Sequence, residues 1–147
     1  MENNTTITYD VIDHDNSCDT KMIASFLEVH LEQYGDKIDD IEKAIDYIFN
    51  GNGGVLVVQK QQDQVVGATV INKTGMHGYI PENILVYIAI HKDFRGLGLG
   101  RKLMEKALNH VDGDVALHVE RDNPAIKLYE SIGFTNPYLE MRLKRCQ

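Results

Sequence analysis

The spacing of apolar residues changes repeatedly along this 147-residue chain, and each change marks an element. The stretch TTITYDVI (5–12) alternates and is β-branched, which predicts a strand. From Asp19 to Tyr34 the apolar positions Met22, Ile23, Phe26, Leu27, Leu31 and Tyr34 fall at helical spacing, and Gly35 closes the run. Ile38, Ile41, Ile45, Ile48 and Phe49 define a second helix, stopped by NGNGG (50–54). VLVVQK (55–60) and QVVGATVI (64–71) read as a hairpin joined by the polar QQD. A loop rich in Gly, His and Tyr, NKTGMHGYIPEN (72–83), precedes ILVYIAI (84–90). That last stretch is nearly all apolar, which predicts a strand covered on both faces.

A helix then runs to about His110, with Leu99, Leu103, Ala107 and Val111 on one face and Met104 and Leu108 beside them. DVALHV (114–119) predicts a strand, and DNPAIKLYESIGF (122–134) a short helix with Asn123 as cap, Pro124 in the first turn and Gly133 as the stop. YLEMRLKR (138–145) alternates and predicts a closing strand. The order β-α-α-β-β-β-α-β-α-β describes one α/β (or α+β) domain over residues 1–147, helices packed on a mixed sheet.

Composition narrows the function. No apolar run approaches the ~20 residues that a membrane span needs. MENNTTITYD has no basic region followed by an apolar one, and Cys18 and Cys146 are isolated, so a reduced, cytoplasmic setting is expected. The net charge of −7 is uneven. Residues 1–90 hold 5 Lys/Arg against 14 Asp/Glu (−9), whereas residues 91–147 hold 10 against 8 (+2). An acidic chain is a poor nucleic-acid binder, yet its C-terminal part retains room for a local anion site.

That site is suggested by HKDFRGLGLGRKLMEKAL (91–108), where glycines at alternate positions lead into a helix. The spacing is wrong for the dinucleotide fingerprint G-x-G-x-x-G, and Arg101-Lys102 follow Gly100 with no Ser or Thr, which rules out a Walker loop. A left-handed turn of purely structural purpose is one explanation. The other is an anion cradle. A strand delivers the chain into the turn, glycines permit close approach of backbone to ligand, and the helix N-terminus offers unsatisfied N–H groups at its positive end. In residues 91–106, five Lys/Arg face two Asp/Glu.

Arg95-Gly96-Leu97-Gly98-Leu99-Gly100 resembles the R/Q-x-x-G-x-G/A signature of the GCN5-related N-acetyltransferases (GNAT). ILVYIAIHKDF resembles their fourth strand, and Asn123, Ile126, Tyr129, Gly133 and Phe134 match their N-x-x-A-x-x-x-Y-x-x-x-G-F hallmark in modified spacing. Lys92 stands where that family usually has proline. The motifs span residues 84–134, and the element order extends the likeness over nearly the whole chain.

The resemblance implies a mostly antiparallel mixed sheet flanked by helices, and acetyl-CoA as co-substrate, without a metal. Its pyrophosphate would rest on the loop amides at Arg95, Gly96, Gly98, Gly100 and Arg101, with Asn123 a further cofactor contact. Its pantetheine arm would pair with Ile88, Ala89 and Ile90, beside a bulge that family members carry in this strand. Tyr129 would be the general acid that protonates the departing thiolate; a core tyrosine on an amphipathic helix is the other explanation of that residue. The general base stays open among Glu82, His77, His91, His118 and Glu120. Tyr34, Tyr79 and Tyr87 are candidates to line an acceptor pocket. The acceptor implied is an amine on a small molecule or short peptide, weakly favoured as a cation by the acidic N-terminal part; neither nucleic acid nor membrane is implied, and a homodimer is compatible. A non-catalytic acyl-CoA-binding or regulatory module on the same fold is the alternative.

Overall fold

The computed structural model describes residues 6–13 and 19–145; Thr5 of the predicted first strand and both cysteines lie outside these. The chain divides into two compact units, residues 1–117 and 118–147.

The first unit is built on one sheet of β1 (Ile7–Ile12), β2 (Gly54–Gln61), β3 (Gln64–Lys73), β4 (Asn83–Ile90) and β5 (Val115–Ala116), in that spatial order. The first three junctions are antiparallel and the β4–β5 junction is parallel. Three helices pack on it: α1 (Thr20–Leu31), α2 (Ile38–Tyr47) and α3 (Leu99–Leu108). Asp19 caps α1, its side chain accepting the Met22 N–H at 3.1 Å.

Alternation along the strands sorts the core into two layers. Leu56, Val58, Ala68, Val70, Tyr87 and Ala89 meet Ile23, Ala24 and Leu27 of α1 and Ile41 and Ile45 of α2. On the opposite face α3 buries Leu99, Leu103, Met104 and Ala107, the stripe its periodicity predicts together with Met104. Gly67 is what allows α3 this close. A Cβ there would stand 2.4 Å from Gln59 Oε1, 2.9 Å from Ile90 Cδ1 and 3.2 Å from Leu103 Cδ2. The fully buried Gln59 ties the layers together, its Nε2 donating to Leu99 O at 3.1 Å and to the Tyr9 hydroxyl at 3.3 Å.

Three expectations need correction. β4 is not covered on both faces: buried and half-buried residues alternate along it, whereas β2 is buried continuously from Gly54 to Gln59. The cause is position, since β2 is flanked by β3 along its length and by β1 from Leu56 onward, while β5 reaches β4 only at Asn83 and Ile84. The strand predicted over 114–119 is thus confined to Val115–Ala116, and residues 138–145 form no ladder among the described residues. There Leu139, Met141 and Leu143 are all exposed, because alternation specifies which face a strand would bury and supplies no partner edge.

Candidate active site

The site begins with a defect in the β3–β4 ladder. Val70 pairs with Tyr87 and Ile71 with Leu85, which leaves Val86 as an extra residue on β4. This β-bulge bends the strand and breaks its match to its neighbours. Beyond it, β4 continues to Ile90 with no strand on its outer side among the described residues.

Main-chain direction on that open edge follows from the alternation of hydrogen-bonded pairs. The His91 N–H donates to Val66 O at 2.8 Å, and Tyr87 O accepts the Thr69 hydroxyl at 2.8 Å, so both residues turn toward β3. Ala89 lies between them in the same phase. Ile88 and Ile90 are in the opposite phase and present their main-chain groups outward. The Ile90 carbonyl is taken by Arg95 Nε at 3.1 Å. The edge therefore offers the Ile88 N–H and C=O and the Ile90 N–H, the pattern an extended ligand needs to pair as an added strand. Of the three residues expected to hold the arm, Ala89 is the one that pairs in phase with β3, opposite Ala68.

At the end of β4 the chain enters a short 3-10 turn (Lys92–Phe94), then an extended Arg95, then two glycines at φ +80, Gly96 and Gly98. Nothing stands within 4 Å of where a Cβ would project from either glycine. These glycines are required by the left-handed backbone rather than by crowding. Gly98 is the N-cap of α3, without a side-chain cap. The first turn of a helix carries N–H groups that have no partner within the helix itself. Gly100 lies inside this first turn, beside the exposed Arg101, whose Nε reaches Glu105 Oε2 at 3.2 Å.

Arg95 points elsewhere. Its Nη2 donates to His30 O at 2.7 Å and its Nη1 to Glu32 Oε2 at 3.3 Å, in addition to the Ile90 contact. The guanidinium thus clasps the C-terminal turn of α1 to the end of β4, where the helix carbonyls carry partial negative charge. Two histidines complete the clasp. His30 Nδ1 accepts the Lys92 N–H at 3.2 Å, His91 Nδ1 accepts the Asp93 N–H at 3.1 Å, and the two rings lie 4.3 Å apart, flanked by Phe26 and Phe94. Burial, and then the charges of His91, Arg95 and Lys92, hold the His30 imidazole below its ordinary pKa, against a smaller upward pull from Glu32. His30 and the Arg95 anchorage have no local sequence signature, since their partners are more than sixty residues away in the chain.

The base candidates divide. Glu82 accepts from the N–H groups of Asp114 at 2.8 Å and Gly78 at 3.2 Å and pairs with His77 Nδ1 at 2.8 Å. Those amide bonds, Asp114 first, hold its carboxyl below the usual range. Both residues are thereby committed to anchoring the 74–82 loop. His91 belongs to the clasp. Of the tyrosines, Tyr79 is exposed and Tyr34 half-buried, while Tyr87 donates to Asp36 Oδ2 at 2.5 Å.

The second unit holds Asn123 and Tyr129, with His118 and Glu120 exposed near its start. Asn123 Oδ1 accepts the Ala125 N–H at 2.9 Å, fixing the turn into α4 (Ile126–Ile132). Gly133, at φ +122, ends the helix, and Gly133 N and Phe134 N both donate to Tyr129 O, at 3.2 and 3.0 Å. Tyr129 is 8 % exposed, its ring set edge-on to Phe134, and burial raises its phenol pKa.

Comparison with known proteins gives the same picture. Ninety-two residues are 33% identical to a mycothiol acetyltransferase of Geodermatophilus obscurus, covering 58% of this chain and 30% of that protein. The chain therefore spans under a third of that relative's length. An aminoglycoside N-acetyltransferase in complex with CoA superposes with a TM-score of 0.68 at 14% identity, over 96% of each chain. A ribosomal-protein-alanine N-acetyltransferase from Brucella melitensis superposes at 0.65 and 17% identity, over 95% of this chain and 99% of that one. At such identities the likeness is one of fold. The model of the acetyltransferase (GNAT) domain matches residues 51–136, more than half of the sequence and inclusive of the bulged strand, the glycine loop and α4, and the chain belongs to that family.

Proposed function

We propose that this protein is an acetyl-CoA-dependent N-acetyltransferase acting, as a single domain, on a primary amine of a small molecule or short peptide. The observation that carries this reading is the unpaired edge of β4 running directly into the glycine loop at the head of α3. An anion on the α3 amides and an extended arm along Ile88 and Ile90 would lie on one continuous path. The loop residues Arg95, Gly96, Gly98, Gly100 and Arg101 contribute backbone N–H groups, with Lys92, Arg101 and Lys102 adding positive charge. The Arg95 side chain shapes the loop by holding it to α1.

The acetyl end of such an arm would reach the level of Ile88 and the bulge, where an outward N–H can polarise the thioester carbonyl. A neutral amine then attacks the carbonyl carbon. The C–N bond forms, the C–S bond breaks, and CoA leaves as thiolate. The sulfur takes up a proton, a role the family resemblance gives to the Tyr129 phenol, and the proton released by the nitrogen passes to water, which returns the donor to its starting form. Asn123 serves by setting the turn that positions α4. Chemistry of this kind needs no metal.

The test is release of free thiol from acetyl-CoA across a panel of amino acids, polyamines, aminoglycosides and short peptides. Acceptor-dependent release that Tyr129→Phe cuts about a hundredfold supports the assignment. Tight CoA binding without turnover on any amine would establish the binding-module alternative instead. The likeness to a mycothiol acetyltransferase and to an aminoglycoside N-acetyltransferase favours a small-molecule acceptor.

A further inference from the structure

We propose that Asp36, aimed by the Tyr87 hydroxyl, is the carboxylate that receives the cationic end of the acceptor. The inference rests on the acetyltransferase reading above. If the arm runs from the glycine loop back along Ile90 and Ile88, its reactive end lies beside Tyr87, the residue next to the bulged Val86. Tyr87 projects to the α1/α2 side of the sheet, and its hydroxyl donates to Asp36 Oδ2 at 2.5 Å. Asp36 sits in the turn between the short helical turn Glu32–Tyr34 and α2. That turn is tightly packed, for a Cβ on Gly35 would come within 2.8 Å of Leu31 Cβ. Carboxylate and strand are thus held at a defined separation.

A half-shielded tyrosine hydroxyl needs an acceptor, which a backbone carbonyl could supply without adding a charge. Here the acceptor is an exposed carboxylate whose other oxygen has no protein partner among the described residues. The surrounding charge is mainly acidic. Asp39 and Asp40 stand in the first turn of α2, and the charge of Asp40 reaches the Tyr87 hydroxyl along with that of Asp36. Opposing cations are few: Lys43 leans on Asp40 at 3.8 Å, Lys37 adjoins Asp36 in sequence, and Arg95 is spent on Glu32 and α1. One end of β4 is therefore basic, at Lys92, Arg101 and Lys102, and its middle acidic. A ligand pair of matching polarity, an anionic donor and a cationic acceptor, would be drawn to opposite ends of the same strand. Asp36 acts as a positioning group: the ammonium docks there, and the nitrogen that reacts is a deprotonated one.

The decisive measurement is calorimetric binding of spermidine, in the presence of CoA, to wild type, Asp36→Asn, Asp36→Glu and Tyr87→Phe, each checked by thermal melting. Asp36→Asn should weaken spermidine about fivefold or more, Tyr87→Phe less, and Asp36→Glu should recover part of the loss. CoA affinity should stay within about twofold in all of them, and salt should weaken spermidine on wild type more than on Asp36→Asn. Where turnover is seen, the loss should fall in the KM of cationic acceptors rather than in kcat. Unchanged spermidine affinity in a folded Asp36→Asn protein, or no salt dependence on wild type, overturns the proposal. Because this readout is binding, it is separate from the activity assay: absent turnover with intact CoA and Asp36-dependent spermidine binding would defeat the enzyme reading and leave the amine site standing.

Discussion

Removing the Arg95 side chain separates two roles that the signature leaves merged. If the guanidinium clasps α1 to β4, Arg95→Ala should cost stability first and ligand affinity second. The ion pair with Glu32 is exposed on both sides, at 43% and 47%, and contributes about 0–0.5 kcal/mol. The two carbonyl contacts, to His30 O at 2.7 Å and Ile90 O at 3.1 Å, are charge-assisted, and discounted for exposure they contribute about 1 kcal/mol each. The sum is about 2 kcal/mol, a fall of roughly 6 °C in melting temperature for a protein of this size. Glu32→Gln keeps both carbonyl bonds and should move the midpoint by less than about 2 °C. Acetyl-CoA affinity, measured calorimetrically well below the melting range, should drop only about threefold, through loosening of the loop. A midpoint unchanged in Arg95→Ala, together with an affinity loss above about thirtyfold, would refute this reasoning, because it would place the guanidinium on the ligand.

Three further expectations can be checked on the same protein. Gly98→Ala introduces a methyl into open space at φ +80, so its melting midpoint should fall by the backbone cost alone, about 1 kcal/mol, while CoA affinity falls more if the space is a phosphate cradle. Gly67→Ala forces a Cβ against Gln59, Ile90 and Leu103, and denaturant titration should show a loss of about 1–3 kcal/mol. His30 has a lowered pKa, so the unfolded chain binds its proton more readily than the folded one between the two values. Its contribution is complete above the ordinary histidine range and is lost as pH falls through the folded value, where protonation also removes the Nδ1 acceptor for Lys92 N–H. Melting midpoints taken from pH 7.5 down to 5 should fall less steeply in His30→Gln than in wild type.

The three helices of the first unit were legible because each carries one clear period. The stripe Leu99, Leu103, Ala107 implied the buried face of α3, and Gly96 and Gly98 implied the left-handed turn that both adopt. The position of the bulge was not legible, since ILVYIAI is apolar throughout and nothing distinguishes Val86 from its neighbours. Arg95 was legible as part of the signature, but its side chain's destination depends on α1, over sixty residues earlier. The Tyr87–Asp36 pair is hidden for the same reason, at a separation of 51 residues. The YLEMRLKR segment shows the converse, a strand pattern without a strand, because pairing is a property of two segments and the pattern belongs to one.

The unpaired stretch of β4 carries a liability as well as an opportunity. Natural edges are blunted with lysine, proline or inward charge, yet Leu85 to Ile90, which have no partner on that side among the described residues, contain none of these. Left bare, such a seam is a template on which another chain's strand could grow, and a purified sample stripped of nucleotide thioester would be the most exposed to clumping. A ligand lying along the seam caps it. At a concentration a hundred times its dissociation constant it would add about 2.7 kcal/mol to folding stability. If acyl-CoA is that ligand, shelf life in the test tube, and persistence against proteolysis in a cell, would rise and fall with its supply.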